Sequence, residues 1–299
     1  MIRELGKDGT PDGPAASSAG EYDLCVVGTG PAGTTVVNEL AGSGLAICVL
    51  ESGHLAPTPY GDRLRDVVSE GIRIKDYSRE RVLGGASTTW AGLSSPLDAI
   101  DLAPRPWAGS PGWPIGADEL TGLYGEAAER YRFPTPASYE TGETGETGAG
   151  GFAEVKAAGE VRPEWRRLDE KVFQACAEPQ DFGYEWRGAF EGPDVELWLD
   201  ATVLRLEREP ASRGGPAAVV RASPGGEAGA RVRACGRASG GGQDARLLLL
   251  SDLGNEHDQV GRCLMNHPKN YRGVLHLARP VGDLPYYFGC LRGGYAGYA

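Results

Sequence analysis

Residues 22–53 read YDLCVVGTGPAGTTVVNELAGSGLAICVLESG, and the order in which apolar runs, glycines and a terminal acid follow one another decides the fold. Residues 22–27 are rich in apolar and β-branched side chains, the composition of a parallel strand buried on both faces. The run breaks at Gly28-Thr29-Gly30-Pro31-Ala32-Gly33. Residues 34–40 carry apolar positions at Val36, Val37 and Leu40 and predict a helix, which Gly42 and Gly44 end. Residues 45–50 predict a second buried strand that closes on Glu51, about 20 residues beyond the glycines.

Each part of this unit has a physical task. Gly28 makes a tight turn, Gly30 leaves room for a pyrophosphate against the backbone, and Gly33 lets the helix pack close to the strand. The helix start that follows Gly28-Thr29-Gly30-Pro31-Ala32-Gly33 offers unpaired N–H groups and a positive dipole end to the phosphates. Glu51, with Ser52 beside it, can accept hydrogen bonds from both hydroxyls of an adenosine ribose and would repel a 2′-phosphate. Strand, glycines, helix, strand and acid in this order predict dinucleotide binding in an α/β, Rossmann-like domain with a parallel sheet and helices. The chemistry of the pyrophosphate is common to NAD and FAD, so these residues leave both open.

A second glycine-rich stretch lies at residues 80–98, ERVLGGASTTWAGLSSPLD. It resembles the flavin-contacting segment of the glucose–methanol–choline (GMC) oxidoreductases, especially the branch that includes pyranose oxidases. The Pro31-Ala32 pair and the early position of the fingerprint also resemble flavoproteins. The resemblance continues in order through PRPWAGSPGWPIGADELTGLYGEA at 104–127, ELWLDATVLRLERE at 196–209, ASGGGQDARLLLLSD at 238–252 and GNEHDQVGRCLMNHP at 254–268. It implies FAD as cofactor, with Arg81, Leu83, Gly84, Gly85, Ser87 and Thr89 along the flavin and Val203 offering backbone to the adenine. The 104–127 segment is expected to lead into a helix with Leu120, Leu123, Tyr124 and Ala127 on one apolar face. The 196–209 segment reads as paired strands.

Two positions depart from the family pattern. Thr89 stands where some pyranose oxidases carry the histidine bonded to flavin, so FAD here is expected to be noncovalent. RVRACGR at 231–237 stands at an apolar strand of the family, and its arginines and glycine are poor material for a buried strand. The expected organisation is a flexible leader at 1–19, a discontinuous FAD-binding domain at 20–105 and 184–270, and a partial substrate-binding region at 106–183 and 271–299. TGETGETGAGG at 141–151 reads as a mobile loop, with a lid as the alternative, and the Gly-, Pro- and Ala-rich stretch 210–230 as a mobile bulge between strands.

The 299 residues are 40% hydrophobic and 24% charged, with a formal net charge of -11 that opposes a polyanionic partner such as nucleic acid. No apolar run reaches the ~20 residues that span a bilayer, and the start of the chain lacks the apolar core of a secretory signal, so a cytoplasmic location and no membrane partner are expected. The six cysteines stand at none of the close spacings of a zinc or redox pair, and Cys25 and Cys48 read as small buried hydrophobes. No two of His54, His257, His267 and His276 share a metal or nucleophile motif, so no metal is expected. Trp90 and Trp107 are candidates for lining a sugar pocket, with core or rim packing as the alternative.

The resemblance implies oxidation of an alcohol carbon of a small-molecule alcohol or sugar, with a sugar or glycoside as the expected substrate, by hydride transfer to flavin with a histidine base. The family's base lies in a C-terminal segment, and LRGGYAGYA precedes any such segment here, which leaves the catalytic residues unassigned. His267, in an NHP triplet, is the next candidate. Two other readings stand beside this one: a truncated FAD-binding fragment without catalysis, and a nicotinamide-dependent Rossmann dehydrogenase. Nothing in the residues selects oxygen or another electron acceptor.

Overall fold

The structure is a computed structural model that describes residues 1–5, 22–71, 73–75, 78–139, 171, 173–176, 178–208, 216–222, 226–265, 276, 290–292 and 295–298. In chain order its strands are β1 (Ile2–Glu4), β2 (Tyr22–Val27), β3 (Ile47–Leu50), β4 (Phe173–Cys176), β5 (Val195–Leu199), β6 (Thr202–Arg208), β7 (Pro216–Ala222), β8 (Gly226–Ala230), β9 (Val232–Arg237), β10 (Cys290–Arg292) and β11 (Tyr295–Tyr298). Contacts divide the chain into two units, Met1–Thr89 with Asp181–Pro268 and Trp90–Gln180 with Lys269–Ala299. The first unit therefore ends at Thr89, earlier than the expected 105, and resumes at Asp181.

The first unit is built on a parallel sheet in the order β1-β5-β3-β2-β9. Its central strands β2, β3 and β5 are mostly apolar and buried, and successive side chains alternate between the two faces. Val26, Ile47, Val49 and Leu197 face one side, packed with Val37 of the helix Pro31–Leu40 and with Phe190. Cys25, Val27, Cys48, Leu50 and Trp198 face the other, packed with Val203 and Leu206 of β6 and Leu247 of the helix Gly241–Leu250. A separate antiparallel sheet, β6-β7-β8, belongs to this second side.

Five expectations are corrected here. The first residues are not part of a flexible leader: β1 pairs in parallel with β5, and Arg3 Nε lies 2.6 Å from Glu196 Oε1. Residues 6–19 fall outside the described residues. On the first helix Val36 is exposed, and Thr34 is buried instead, its hydroxyl donating to Thr29 O at 2.8 Å, which satisfies the polar atom the helix phase turns inward. The 196–209 segment does not fold on itself: Asp200 adopts φ 58 and sends β5 and β6 into different sheets. The stretch 210–230 contributes two strands, β7 and β8, paired antiparallel, while 209–215 and 223–225 lie outside the described residues.

The fifth correction concerns 231–237, which forms β9 despite its arginines. It pairs with β2 at the edge of the described sheet, and there Arg233 stays exposed, 3.2 Å from Asp23 Oδ1. An edge strand has an open side where a charged stem can reach water, which a central strand lacks.

The second unit contains the antiparallel sheet β10-β11-β4 and the helix Ala117–Tyr131. Gly116 N donates to Glu119 Oε1 at 2.9 Å at the helix start. Leu120, Tyr124 and Ala127 are partly buried, but Leu123, expected on the same face, is 57% exposed. The 141–151 loop lies outside the described residues. Among the described residues no helix is long and apolar enough to cross a membrane.

Burial of this kind has a measurable signature. Leu197 is fully buried, so Leu197→Ala should lower unfolding stability by about 2–5 kcal/mol, whereas Leu123→Ala should stay within about 0.5 kcal/mol. Denaturant midpoints of the two variants compare them directly, and equal midpoints would contradict the core described.

Candidate functional site

The site grows from the carboxyl ends of β2 and β9, neighbours in the sheet whose chains leave in turns rich in glycine. Gly28 adopts φ 97 as β2 ends, and a Cβ there would lie 2.5 Å from Ala238 O, so the first turn is pressed against the second. Gly33 lies in the first turn of the helix Pro31–Leu40, where a Cβ would stand 2.0 Å from Gly28 O. Gly30 differs: the nearest atom to a Cβ would be 4.0 Å away, leaving its outer side open. The helices Pro31–Leu40 and Gly241–Leu250 start from these turns, and Asp244 Oδ1 fastens the second by accepting from Ser239 N (3.1 Å) and Ser239 Oγ (2.5 Å).

Between the turns lies a cavity of about 640 Å³, within the ~300–1,000 Å³ of small-molecule sites. Gly28, Thr29, Gly30, Pro31 and Ala32 form one wall and Ala238 to Gly242 another. Arg79, Arg81, Arg237 and Arg246 reach it, as do Glu51, Glu80 and Asp244. Two helix N-termini with unpaired N–H groups and four guanidinium groups give the cavity a local preference for anions. It sits where the strands on either side of β2 lead away in opposite directions, the switch point at which open α/β sheets bind ligands.

Glu51 is 5% exposed and its carboxylate is heavily used. Oε2 accepts from Thr29 N at 3.0 Å and Thr29 Oγ1 at 2.7 Å, and Oε1 accepts from Gly53 N at 2.7 Å and, more weakly, from Ser52 Oγ at 3.3 Å. Arg81 Nη1 donates to Ser52 Oγ at 2.9 Å. Burial lowers the pKa of the Arg81 guanidinium, and the charge of Glu51 opposes that shift. Val203 lies in the wall, its carbonyl 3.4 Å from Arg246 Nη2, and beside it the buried Thr202 Oγ1 has no hydrogen-bond partner.

Of the residues singled out from sequence, the structure brings Gly28, Gly30, Pro31, Ala32, Glu51, Ser52, Arg81, Gly85 and Val203 to the cavity. Gly33, Leu83, Gly84, Ser87 and Thr89 do not line it. Leu83 is core. Gly84 adopts φ 89, and a Cβ there would lie 2.5 Å from Gly183 N, so the chain's own 181–183 turn demands the glycine. The Ser87 hydroxyl is turned inward, donating to Gly84 O at 2.7 Å and accepting from Phe182 N at 3.0 Å. Thr89 is exposed, its Oγ1 3.4 Å from Glu80 Oε1. Sequence reasoning missed Arg237, read only as poor strand material; its place just before the second glycine turn was the available signal. It also missed Arg79, Arg246 and Thr202, which carry no motif.

No family model matches the sequence, and no curated protein matches it. Solved structures do share its fold. Pyridoxine 4-oxidase from Mesorbium loti aligns with a TM-score of 0.51 at 17% identity, over 83% of this chain and 55% of that one. An FAD-dependent oxidoreductase from Chaetomium thermophilum aligns with a TM-score of 0.50 at 17% identity, over 77% of this chain and 47% of that one. The chain thus spans about half the length of these structures. They establish a mixed α/β fold with a parallel sheet.

Gly30 and Gly33 should respond differently to a methyl group. Gly33→Ala should cost about 1–3 kcal/mol of stability through the clash with Gly28 O, while Gly30→Ala should cost less than about 1 kcal/mol. Thermal or denaturant unfolding reads both, and the reverse ranking would overturn the packing assigned to Gly33.

Proposed function

We propose that this chain binds FAD as the GMC oxidoreductases do, here without a covalent link, and serves oxidation of an alcohol carbon, in a sugar or glycoside. The observation that carries the reading is the pair of glycine turns, each opening a helix toward one cavity, with a buried acid at the end of the next strand. The cavity passes a test of fit. Gly30 offers an open cradle that a Cβ would fill, Thr202 Oγ1 is a buried hydroxyl without a partner, and four arginines face a space that suits a pyrophosphate.

In this reading the amides of Gly30, Pro31-side backbone excepted because proline has no N–H, Ala32 and the second turn hold the pyrophosphate, and Arg81 adds charge. The ribose hydroxyls take the place of the Ser52 hydroxyl on Glu51, the weakest of its four donors, while Thr29 and Gly53 keep the carboxylate in position. Val203 and Thr202 face the adenine. Bound FAD supplies a two-electron hydride acceptor. Thr89 has no imidazole, so nothing at that position can bond to the flavin. Among the described residues no histidine lines the cavity; His267, the proposed candidate for the base, lies outside them.

A second reading is that this chain holds the cofactor without turnover. Anaerobic addition of an alcohol or sugar to the flavin-loaded chain separates the two, since bleaching of the flavin band requires hydride transfer.

FAD affinity and release test the cofactor. The purified chain should show flavin absorbance, and acid precipitation should leave the flavin in the supernatant. Gly30→Ala should weaken FAD at least tenfold with little loss of stability. Glu51→Ala should weaken it about 10- to 100-fold, from the ~1.5–3 kcal/mol of hydrogen bonds to a charged group. It should also lose stability, because Thr29 N and Gly53 N are left unpaired. Unchanged FAD affinity in Gly30→Ala, or flavin that stays with the precipitate, would sink the assignment.

A further inference from the structure

We infer that Glu4, His54 and Asp200 form a binding site for a divalent transition-metal ion, zinc by its ligand chemistry, which ties the edge strand β1 to the sheet. The three residues stand at the carboxyl ends of β1, β3 and β5, which are neighbours in the order β1-β5-β3. Their backbones are fixed by the sheet. Glu4 pairs with Leu199, Asp200 N donates to Gly53 O at 2.9 Å, and His54 O accepts from Leu83 N at 2.9 Å.

One candidate ligand atom from each lies within 4.8 Å of the other two. His54 Nε2 is 3.1 Å from Glu4 Oε1 and 3.9 Å from Asp200 Oδ2. Zinc holds nitrogen and oxygen ligands at about 2.0–2.2 Å, which in a tetrahedron sets neighbouring ligand atoms about 3.4 Å apart. The two observed separations bracket that value, and a small rotation of the Asp200 carboxylate closes the longer one. A plain histidine–carboxylate pair accounts for the site less well. Nε2 is a buried atom that makes no hydrogen bond, although it lies close to both carboxylates. With the ring proton on Nδ1, Nε2 presents a lone pair toward two carboxylate oxygens, and a cation satisfies all three at once. One imidazole with two carboxylates suits zinc better than magnesium or calcium, which prefer all-oxygen shells, and the fourth position is left for water.

The test uses the whole chain stripped with a chelator and titrated with zinc chloride by calorimetry, with thermal unfolding followed in parallel. One zinc should bind per chain and raise Tm by about 5 °C. Asp200→Asn keeps the side-chain shape and suits the φ of 58, and should weaken zinc at least tenfold and abolish the Tm rise, as should His54→Ala. Asp258→Asn, at an exposed acid elsewhere, should leave both unchanged. Circular dichroism without metal establishes that each variant is folded. Absence of zinc binding, or the same affinity in the wild type and in folded Asp200→Asn, overturns the site.

Discussion

The first unit depends on how closely two glycine turns approach each other at the ends of β2 and β9. Gly28 and Ala238 meet at a distance that excludes any side chain on Gly28, and Gly33 must then be bare for the helix to lie against the strand end. Everything else at the site follows from that approach. It brings two helix starts to one cavity, and the register of β9 on β2 carries Arg237, at the last position of β9, to the cavity wall. Gly84 repeats the device a layer below, where its missing Cβ admits the 181–183 turn and Ser87 closes the contact by bonding Phe182 N.

Charge is distributed against the global balance. The chain carries a formal net charge of -11, yet the cavity gathers four arginines around backbone N–H groups. The acids that accompany them are engaged in holding structure: Glu51 in binding Thr29 and Gly53, Glu80 in pairing with Arg65 at 2.9 Å, and Asp244 in fastening Ser239. A negative protein can in this way hold a local anion site without attracting polyanions over its whole surface.

The same register that sets the turns lines up three thiols. Cys25 stands opposite Cys48 on one side and Cys235 on the other. At Cys25 the hydrogen bond with Cys235 favours the thiolate, but the hydrogen bond with Cys48 and burial outweigh it and hold the thiol well above its usual range. The hydrogen bond with Cys25, and then burial, push Cys235 up as well. Thiols so protonated pack as small apolar groups, consistent with their place in the core beside Leu50 and Trp198.

Much was legible in local sequence because the determinants are local. The strand–turn–helix–strand of 22–53 was readable since apolar runs and glycines at fixed offsets each act within a few residues; the helix begins three residues earlier than expected, at Pro31, Val36 turns outward, and β3 starts at Ile47. The segment 238–252, which opens the helix Gly241–Leu250, was singled out only through the family resemblance. What tertiary structure decided depends on partners far along the chain. Val232–Arg237 makes a strand at the edge of the described sheet, Ser87 is turned inward to accept from Phe182 N, and β5 and β6 part because Asp200 turns left-handed between them. The convergence of Glu4, His54 and Asp200 has no sequence spacing at all. Sequence fixes which residues can bend, bury or bond; which of them meet is set by strand order, and strand order is a property of the whole sheet.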